Sequence, residues 1–285
     1  MVIWGGSYLS IKVIVAELDP TLSAFYRFSI AAIILFIILK IKYPEEKILK
    51  EDRLLMALSG LTGVSMYFFF ENYSVSYTSA SNVAVLISSI PVFTLISQRI
   101  VFKEKITLLK FFGAMLSAVG IVIIIASKEK ISLFSAGTRG DLMALAAAFC
   151  WVIYNIITSK FKGNYKSITV TTYQILWGCV FLSPALFFTK LTVPSLKVIG
   201  NTVFLAVLCS CIGYIIYIYC LEHLGATIVT TYINLQPIVT LIFAKIILKE
   251  TVTLWQILGS VVIILGVFLV SFGEKFSLRK FEEAV

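Results

Sequence analysis

The sequence predicts an all-α, polytopic membrane protein of about ten transmembrane helices arranged as two inverted five-helix repeats. Three observations predict it. The 285 residues are 59% hydrophobic and only 14% charged, with a mean hydropathy of +0.98, which is too apolar for a water-soluble domain. The apolar residues fall in runs of about 20, the length that crosses a bilayer as a helix. Finally, Tyr77–Ile124 recurs at His223–Val270 after a gapless shift of 146 residues, with 14 of 48 positions identical. Shared apolar composition alone gives roughly one match in ten. The matches also include punctuation that apolar drift does not preserve: Pro91/Pro237, Lys103/Lys249, Glu104/Glu250, Thr107/Thr253, Gly113/Gly259 and Gly120/Gly266.

Along the chain the runs are 2–16, 22–39, 54–75, 78–98, 106–126, 141–159, 168–189, 198–221, 226–248 and 252–273. They are numbered here as spans 1 to 10. A span that is apolar on nearly every side must satisfy its backbone internally, so each is read as a helix, and the alternation of a membrane barrel is missing. Span 1 is short. Spans 3 and 8 are crowded with aromatics, Tyr67 to Phe70 and Tyr73 in one, Tyr214, Tyr217 and Tyr219 in the other. Most connections are short, which makes successive helices antiparallel neighbours. The organisation expected is a first repeat over 1–127, a polar linker over 128–140, a second repeat over 141–273 and a tail over 274–285.

The Lys and Arg distribution sets the orientation. With the N-terminus inside, 15 basic residues lie on the inner loops and 7 on the outer ones. Both termini are then cytoplasmic in the cell (plasma or inner) membrane. Five spans per repeat is an odd number, so the second repeat enters the membrane upside down. Inverted repeats are a mark of secondary transporters. An offset of 147 also pairs Trp4 with Trp151 and Tyr26 with Tyr173.

The formal charge of +9 reads as basic cytoplasmic loops, with no cluster suited to nucleic acid. Cys150, Cys179, Cys209, Cys211 and Cys220 lie in apolar runs without ligand spacing, and His223 is the single histidine. No metal site or cofactor is expected, and no catalytic residue. No phosphate-cradling glycine loop with lysine is present, so ATP is not the direct energy source. Met1 opens directly into an apolar run, which does not read as a cleaved signal peptide. Competing readings are a lipid-modifying membrane enzyme and a non-transporting scaffold or sensor. The first calls for paired carboxylates or histidines at the headgroup face, where only Glu45, Glu46, Glu51 and Asp52 cluster, among lysines. The second calls for a dry core.

The chain resembles the EamA family of the drug/metabolite transporter superfamily over essentially its whole length. The residues that carry the resemblance are Trp4-Gly5, Tyr26-Arg27-Phe28, Tyr77-Thr78-Ser79-Ala80-Ser81, and the two segments Phe102-Lys103-Glu104…Gly113…Gly120 and Leu248-Lys249-Glu250…Gly259…Gly266. The resemblance implies ten helices, alternating access and export or uptake of small metabolites such as amino acids or amphipathic compounds. It also favours a scaffold role for Arg27.

Pro91 and Pro237 sit mid-span in spans 4 and 9 and are expected to kink them, freeing the carbonyls of Ile87 and Ile233. Polar side chains cluster around both: Asn82, Ser88, Ser89 and Thr94 in one copy, Asn234, Gln236 and Thr240 in the other. Paired kinks with polar groups at mid-membrane are what a central substrate site requires; helix glue is the plain alternative. Lys12, Arg27 and Glu71 are the charges within spans. Glu71, too short to snorkel, is the candidate for a substrate amine or a coupling proton. Trp4, Tyr67, Trp151, Tyr154, Tyr214 and Tyr232 are candidates to line an amphipathic pocket. Trp177 and Trp255 read as interfacial belt. Glu104 and Glu250 read as turn residues beside the caps Thr107 and Thr253-x-x-Gln256. The small residues Gly113, Ser117 and Gly120, with Gly259, Ser260 and Gly266, suggest close packing and a homodimer through spans 5 and 10. The other expected partners are a small-molecule substrate and the lipid bilayer.

Overall fold

A computed structural model describes residues 1–103, 106–126, 136–190, 192–248 and 253–282. Among these, all regular structure is helical: α1 (Val2–Ile14), α2 (Pro20–Lys42), α3 (Arg53–Gly60), α4 (Tyr67–Tyr77), α5 (Ala80–Ile87), α6 (Ile90–Val101), α7 (Leu108–Ala126), α8 (Ala136–Thr158), α9 (Ser167–Leu182), α10 (Ala185–Phe188), α11 (Leu196–Phe204), α12 (Gly213–Thr231), α13 (Gln236–Leu248) and α14 (Leu254–Glu282). Five helical stretches are long and apolar enough to cross a membrane: Pro20–Lys42, Lys50–Tyr77, Gly137–Thr158, Ser167–Phe188 and Leu196–Ile247. The last of these turns back at Gly225, whose φ of 76° is a conformation that favours glycine. Shorter apolar helices cover 2–14, 90–101, 108–120 and 257–270.

Local chemistry explains the ends. Asp19 caps α2, its carboxylate accepting from the Thr21 and Leu22 amides, with Pro20 entering the helix. Ser195 caps α11 through the Val198 amide. The Lys110 amide donates to Thr107 Oγ1 at the start of α7, the cap expected there. Lys103 adopts a positive φ of 56° in the preceding turn. Glu104, Glu250, most of the 128–140 linker and the end of the tail lie outside the described residues.

Two of the long helices are not α-helical throughout. Leu61–Met66, between α3 and α4, and Leu205–Ile212, between α11 and α12, are π-helical. Adding 146 to 61–66 gives 207–212, so the two π-helical segments occupy matching places. Spans 4 and 9 are interrupted at matching places too. Span 4 breaks at Ser88–Ser89 and restarts at Ile90 with Pro91 in its first turn. Span 9 passes through a 3-10 turn at Tyr232–Leu235 and restarts at Gln236 with Pro237 second.

One continuous core runs through α1, α2, the α3–α4 and α11–α12 helices, α8 and α9, and includes Tyr8, Phe28, Tyr154, Trp151 and Tyr214. Large apolar side chains such as Ile37, Phe112, Val122, Phe149 and Phe268 face outward, as lipid-facing surfaces require. α7 packs along α14. A Cβ placed on Gly113 meets the Gly266 carbonyl oxygen at 2.7 Å, and one on Gly120 meets the Gly259 carbonyl oxygen at 2.7 Å. The small-residue faces proposed for a homodimer are therefore turned on each other within one chain. Glycine is required there because two backbones touch.

Candidate functional site

The elements bring two interrupted pairs of helices, α3–α4 with α11–α12 and α5–α6 with α12–α13, around α1 and α8. Where they meet lies a cavity of about 20 Å³, lined by Trp4, Ser7, Tyr8, Arg27, Tyr67, Phe68, Glu71, Ile87, Ile90, Trp151, Tyr214, Ile233 and Gln236. That is room for about one water molecule.

Its wall is aromatic. Trp4 and Trp151, matched by the 147-residue offset, meet edge to face at 5.7 Å between ring centroids. Tyr67 lies 4.8 Å from Trp151, and Tyr214 lies 5.8 Å from Trp4 and 5.7 Å from Trp151. Such contacts hold the rings by the quadrupole preference for tilted and edge geometries. The π-helical segments hold two of these side chains. Tyr214 donates its hydroxyl to the Gly63 carbonyl at 2.8 Å, and Trp4 donates Nε1 to the Cys209 carbonyl at 3.0 Å. Gly63 and Cys209 are 146 apart, so the two acceptor carbonyls occupy matching places in the repeats, while the donors differ.

The polar groups are few and buried. Tyr67 donates to Glu71 Oε1 at 2.8 Å, while Oε2 has no hydrogen-bond partner. Arg27 Nε donates to Ser210 Oγ at 2.7 Å; its guanidinium lies over Phe68 and Phe28, at 4.4 and 4.9 Å from the ring centroids, and Nη1 is unpartnered. Both residues are 3% exposed. Tyr8 donates to Gln236 Oε1 at 3.0 Å. Lys12 reaches neither Glu71 nor the cavity: its ammonium donates to the Val75 and Thr78 carbonyls at the end of α4, favourable at a helix C-terminus.

Of the residues singled out from sequence, Trp4, Tyr67, Glu71, Trp151, Tyr214 and Gln236 line this cavity. Others lie elsewhere. Tyr154 packs behind Trp151 and donates to Gln174 Oε1 at 3.0 Å. Ser88 bonds back to the Ala84 carbonyl, as a hydroxyl does at a helix break. Ser89 Oγ and Asn234 Oδ1 are buried and unpartnered beside the two interruptions. Tyr232 lines a separate apolar pocket of about 290 Å³ that shares Trp4 with the central cavity. The side chain of Asn82 lies outside the described residues. The sequence reading passed over Ser7, Tyr8, Phe68, Ile87, Ile90 and Ile233 as site residues, and left Arg27 to the scaffold. The carbonyls of Ile87 and Ile233 were singled out, and that was the usable signal for the last three.

A larger space lies toward the face carrying the α2–α3 and α8–α9 loops. A vestibule of about 500 Å³ is lined by Gln98, Thr158, Asn164, Tyr165, Ile218, Glu222 and neighbours. Tyr217, next to Ile218, accepts from Trp151 Nε1 and donates to Asn155 Oδ1, both at 2.9 Å. Tyr217 itself lines the pocket that holds Tyr232. The rim is tied by Asp52, which is fully buried. Its carboxylate accepts from the amides of Lys162 and Gly163 and from the Tyr165 hydroxyl at 2.7 Å. Burial, then the bond to Asp52, pushes the Tyr165 hydroxyl above its ordinary value; the bond that the Lys162 ammonium donates to Glu51 raises Lys162 on the exposed side of the same loop.

Comparison with known proteins agrees with this architecture. The model of the EamA-like transporter family matches residues 1–126 and again 138–272. An uncharacterized transporter of Archaeoglobus fulgidus is 31% identical over 273 residues, 94% of this chain and 93% of its own. The uncharacterized transporter YyaM of Bacillus subtilis is 28% identical over 94% of this chain and 89% of its own. A crystal structure of a protein superposes with a TM-score of 0.75 over 96% of both chains at 12% identity; this likeness concerns the fold alone.

Proposed function

Since the chain belongs to the EamA-like transporter family, we propose that it is a secondary active transporter, an exporter, of small organic metabolites such as amino acids or amphipathic compounds. It works in the cell membrane with both termini cytoplasmic, by alternating access of two inverted halves about the central cavity. The observation that carries this reading is the cavity itself: a small aromatic space among the helices, walled by Arg27 and Glu71, each buried with one unpartnered atom, in a chain that also holds a larger vestibule toward one face. At about 20 Å³ the cavity is too small to hold a metabolite as it stands. Loading requires the aromatic wall to part, and the matched π-helical and proline-bearing interruptions are where the helices have slack to do so.

Glu71 takes up the coupling proton. It is the acidic side chain on the cavity wall, its Oε2 has no hydrogen-bond partner, and no cation among the described residues contacts it as an ion pair, so ionising it at that depth is costly. Purified protein in proteoliposomes, given an imposed pH gradient, is expected to drive uptake of an accepted substrate. Glu71→Gln is expected to leave downhill exchange measurable while removing the dependence on the gradient. If the variant follows the gradient as the parent does, Glu71 does not couple.

A further inference from the structure

We infer that Arg27 is the anion anchor of the central site, and that the substrate is a zwitterion lying between Arg27 and Glu71. The inference rests on the transporter reading above and names the substrate class of that same site. Arg27 is 3% exposed on the cavity wall, yet makes no ion pair within 4 Å among the described residues. It donates only Nε, to a neutral serine, and Nη1 has no partner. Removing a guanidinium from water without an anion is expensive, and a scaffold role needs no charge.

The second repeat supplies the control. The 147-residue offset that pairs Trp4 with Trp151 and Tyr26 with Tyr173 pairs Arg27 with Gln174. Gln174 is neutral and committed: it accepts from Tyr154 and donates to Thr158 Oγ1 at 3.1 Å. Glu71 likewise has a neutral counterpart, Tyr217, at the 146-residue offset, and Tyr217 is committed to Trp151 and Asn155. The scaffold is thus satisfied by neutral groups at the equivalent places. Both charges come from the first repeat, with opposite sign, on one cavity wall, each with an unpartnered atom. A carboxylate or similar monoanion on Arg27 and an ammonium on Glu71 satisfy both and leave the site neutral. A substrate ammonium needs Glu71 ionised, so it competes with the proton, and binding is coupled to proton release. The aromatic wall takes the apolar body.

The test uses the purified full chain. Binding of the twenty proteinogenic amino acids is measured by thermal shift and calorimetry. For the tightest binder, its amide, its decarboxylated amine and its deaminated acid are compared. The zwitterion is expected to bind about ten- to a hundredfold tighter than each derivative, the range of a charge-assisted hydrogen bond. In Arg27→Gln the preference for the acid over the amide falls to about one, while the preference for the amino compound over its deaminated acid remains. Arg27→Lys keeps part of the first preference, and serves together with the parent ratios if the glutamine variant does not give a monodisperse protein. An amide that binds the parent as tightly as the amino acid, or a preference unchanged in Arg27→Gln, overturns the inference. Counterflow of neutral or singly charged compounds without any zwitterion overturns it alone and leaves the transporter reading standing. Absence of counterflow for every charge class removes both.

Discussion

At the scale of single residues, polar groups in this bundle sort by whether their hydrogen-bonding capacity is used. Asp52 illustrates full use. It is buried and accepts from two amides and a hydroxyl, so it fastens the start of the α3 helix to the α8–α9 loop. Asp52→Asn turns an amide N–H₂ toward those donors and is expected to cost about 1–3 kcal/mol of stability, read as a lowered Tm in detergent. Glu51, one residue earlier, bonds Lys162 at 2.6 Å with both side chains mostly exposed; Glu51→Gln is expected to leave Tm unchanged, because solvent screens such pairs. Equal effects of the two would show that the clasp is not what Asp52 contributes. Arg27 and Glu71 stand at the other pole, buried with spare capacity, and their predicted effects are on recognition and proton coupling. The contrast was only half legible beforehand. Glu71 could be singled out because a carboxylate is too short to reach water from mid-span. Arg27 could not, because a long side chain near a helix end reads equally well as snorkelling, and only packing against Phe28 and Phe68 shows that it stays inside.

At the scale of elements, the repeated glycines are architecture. The 146-residue shift converts the Gly113–Gly266 approach into the Gly259–Gly120 approach, so the α7–α14 contact is exchanged onto itself. Gly120→Val places side-chain atoms where the Gly259 carbonyl oxygen and Ile263 already sit at 2.7 and 2.8 Å. It is expected to separate the helices at a cost of at least about 1–3 kcal/mol, measured by thermal unfolding of the solubilised protein. An unchanged Tm would mean that the helices do not pack as described. The close packing of these faces was legible from the spacing of small residues; that they face each other was not, since a small-residue stripe does not name its partner. The proline interruptions were legible because proline cannot continue the hydrogen-bond ladder. The π-helical segments were not. Their sequences, Leu61–Met66 and Leu205–Ile212, contain no proline, and the extra residue per turn is accommodated by tertiary contacts such as Trp4 and Tyr214 on the freed carbonyls.

At the scale of the whole molecule, the all-helical membrane fold and the family could be read from the sequence, because bilayer thickness and backbone satisfaction leave few alternatives to apolar runs. The site was harder, since its cavity walls are drawn from seven distant stretches and depend on which side of each helix faces inward. The central claim is that a small solute crosses through the cavity between Trp4, Arg27, Glu71 and Trp151. Solute counterflow tests it most directly: proteoliposomes are preloaded with unlabelled compounds, and entry of the labelled compound is followed with no imposed gradient. Accumulation above that of protein-free liposomes for at least one zwitterionic metabolite, lost on Trp151→Ala in a protein that remains monodisperse, is the predicted result. No accumulation for any compound of any charge class, or accumulation indifferent to Trp151→Ala, would contradict the account.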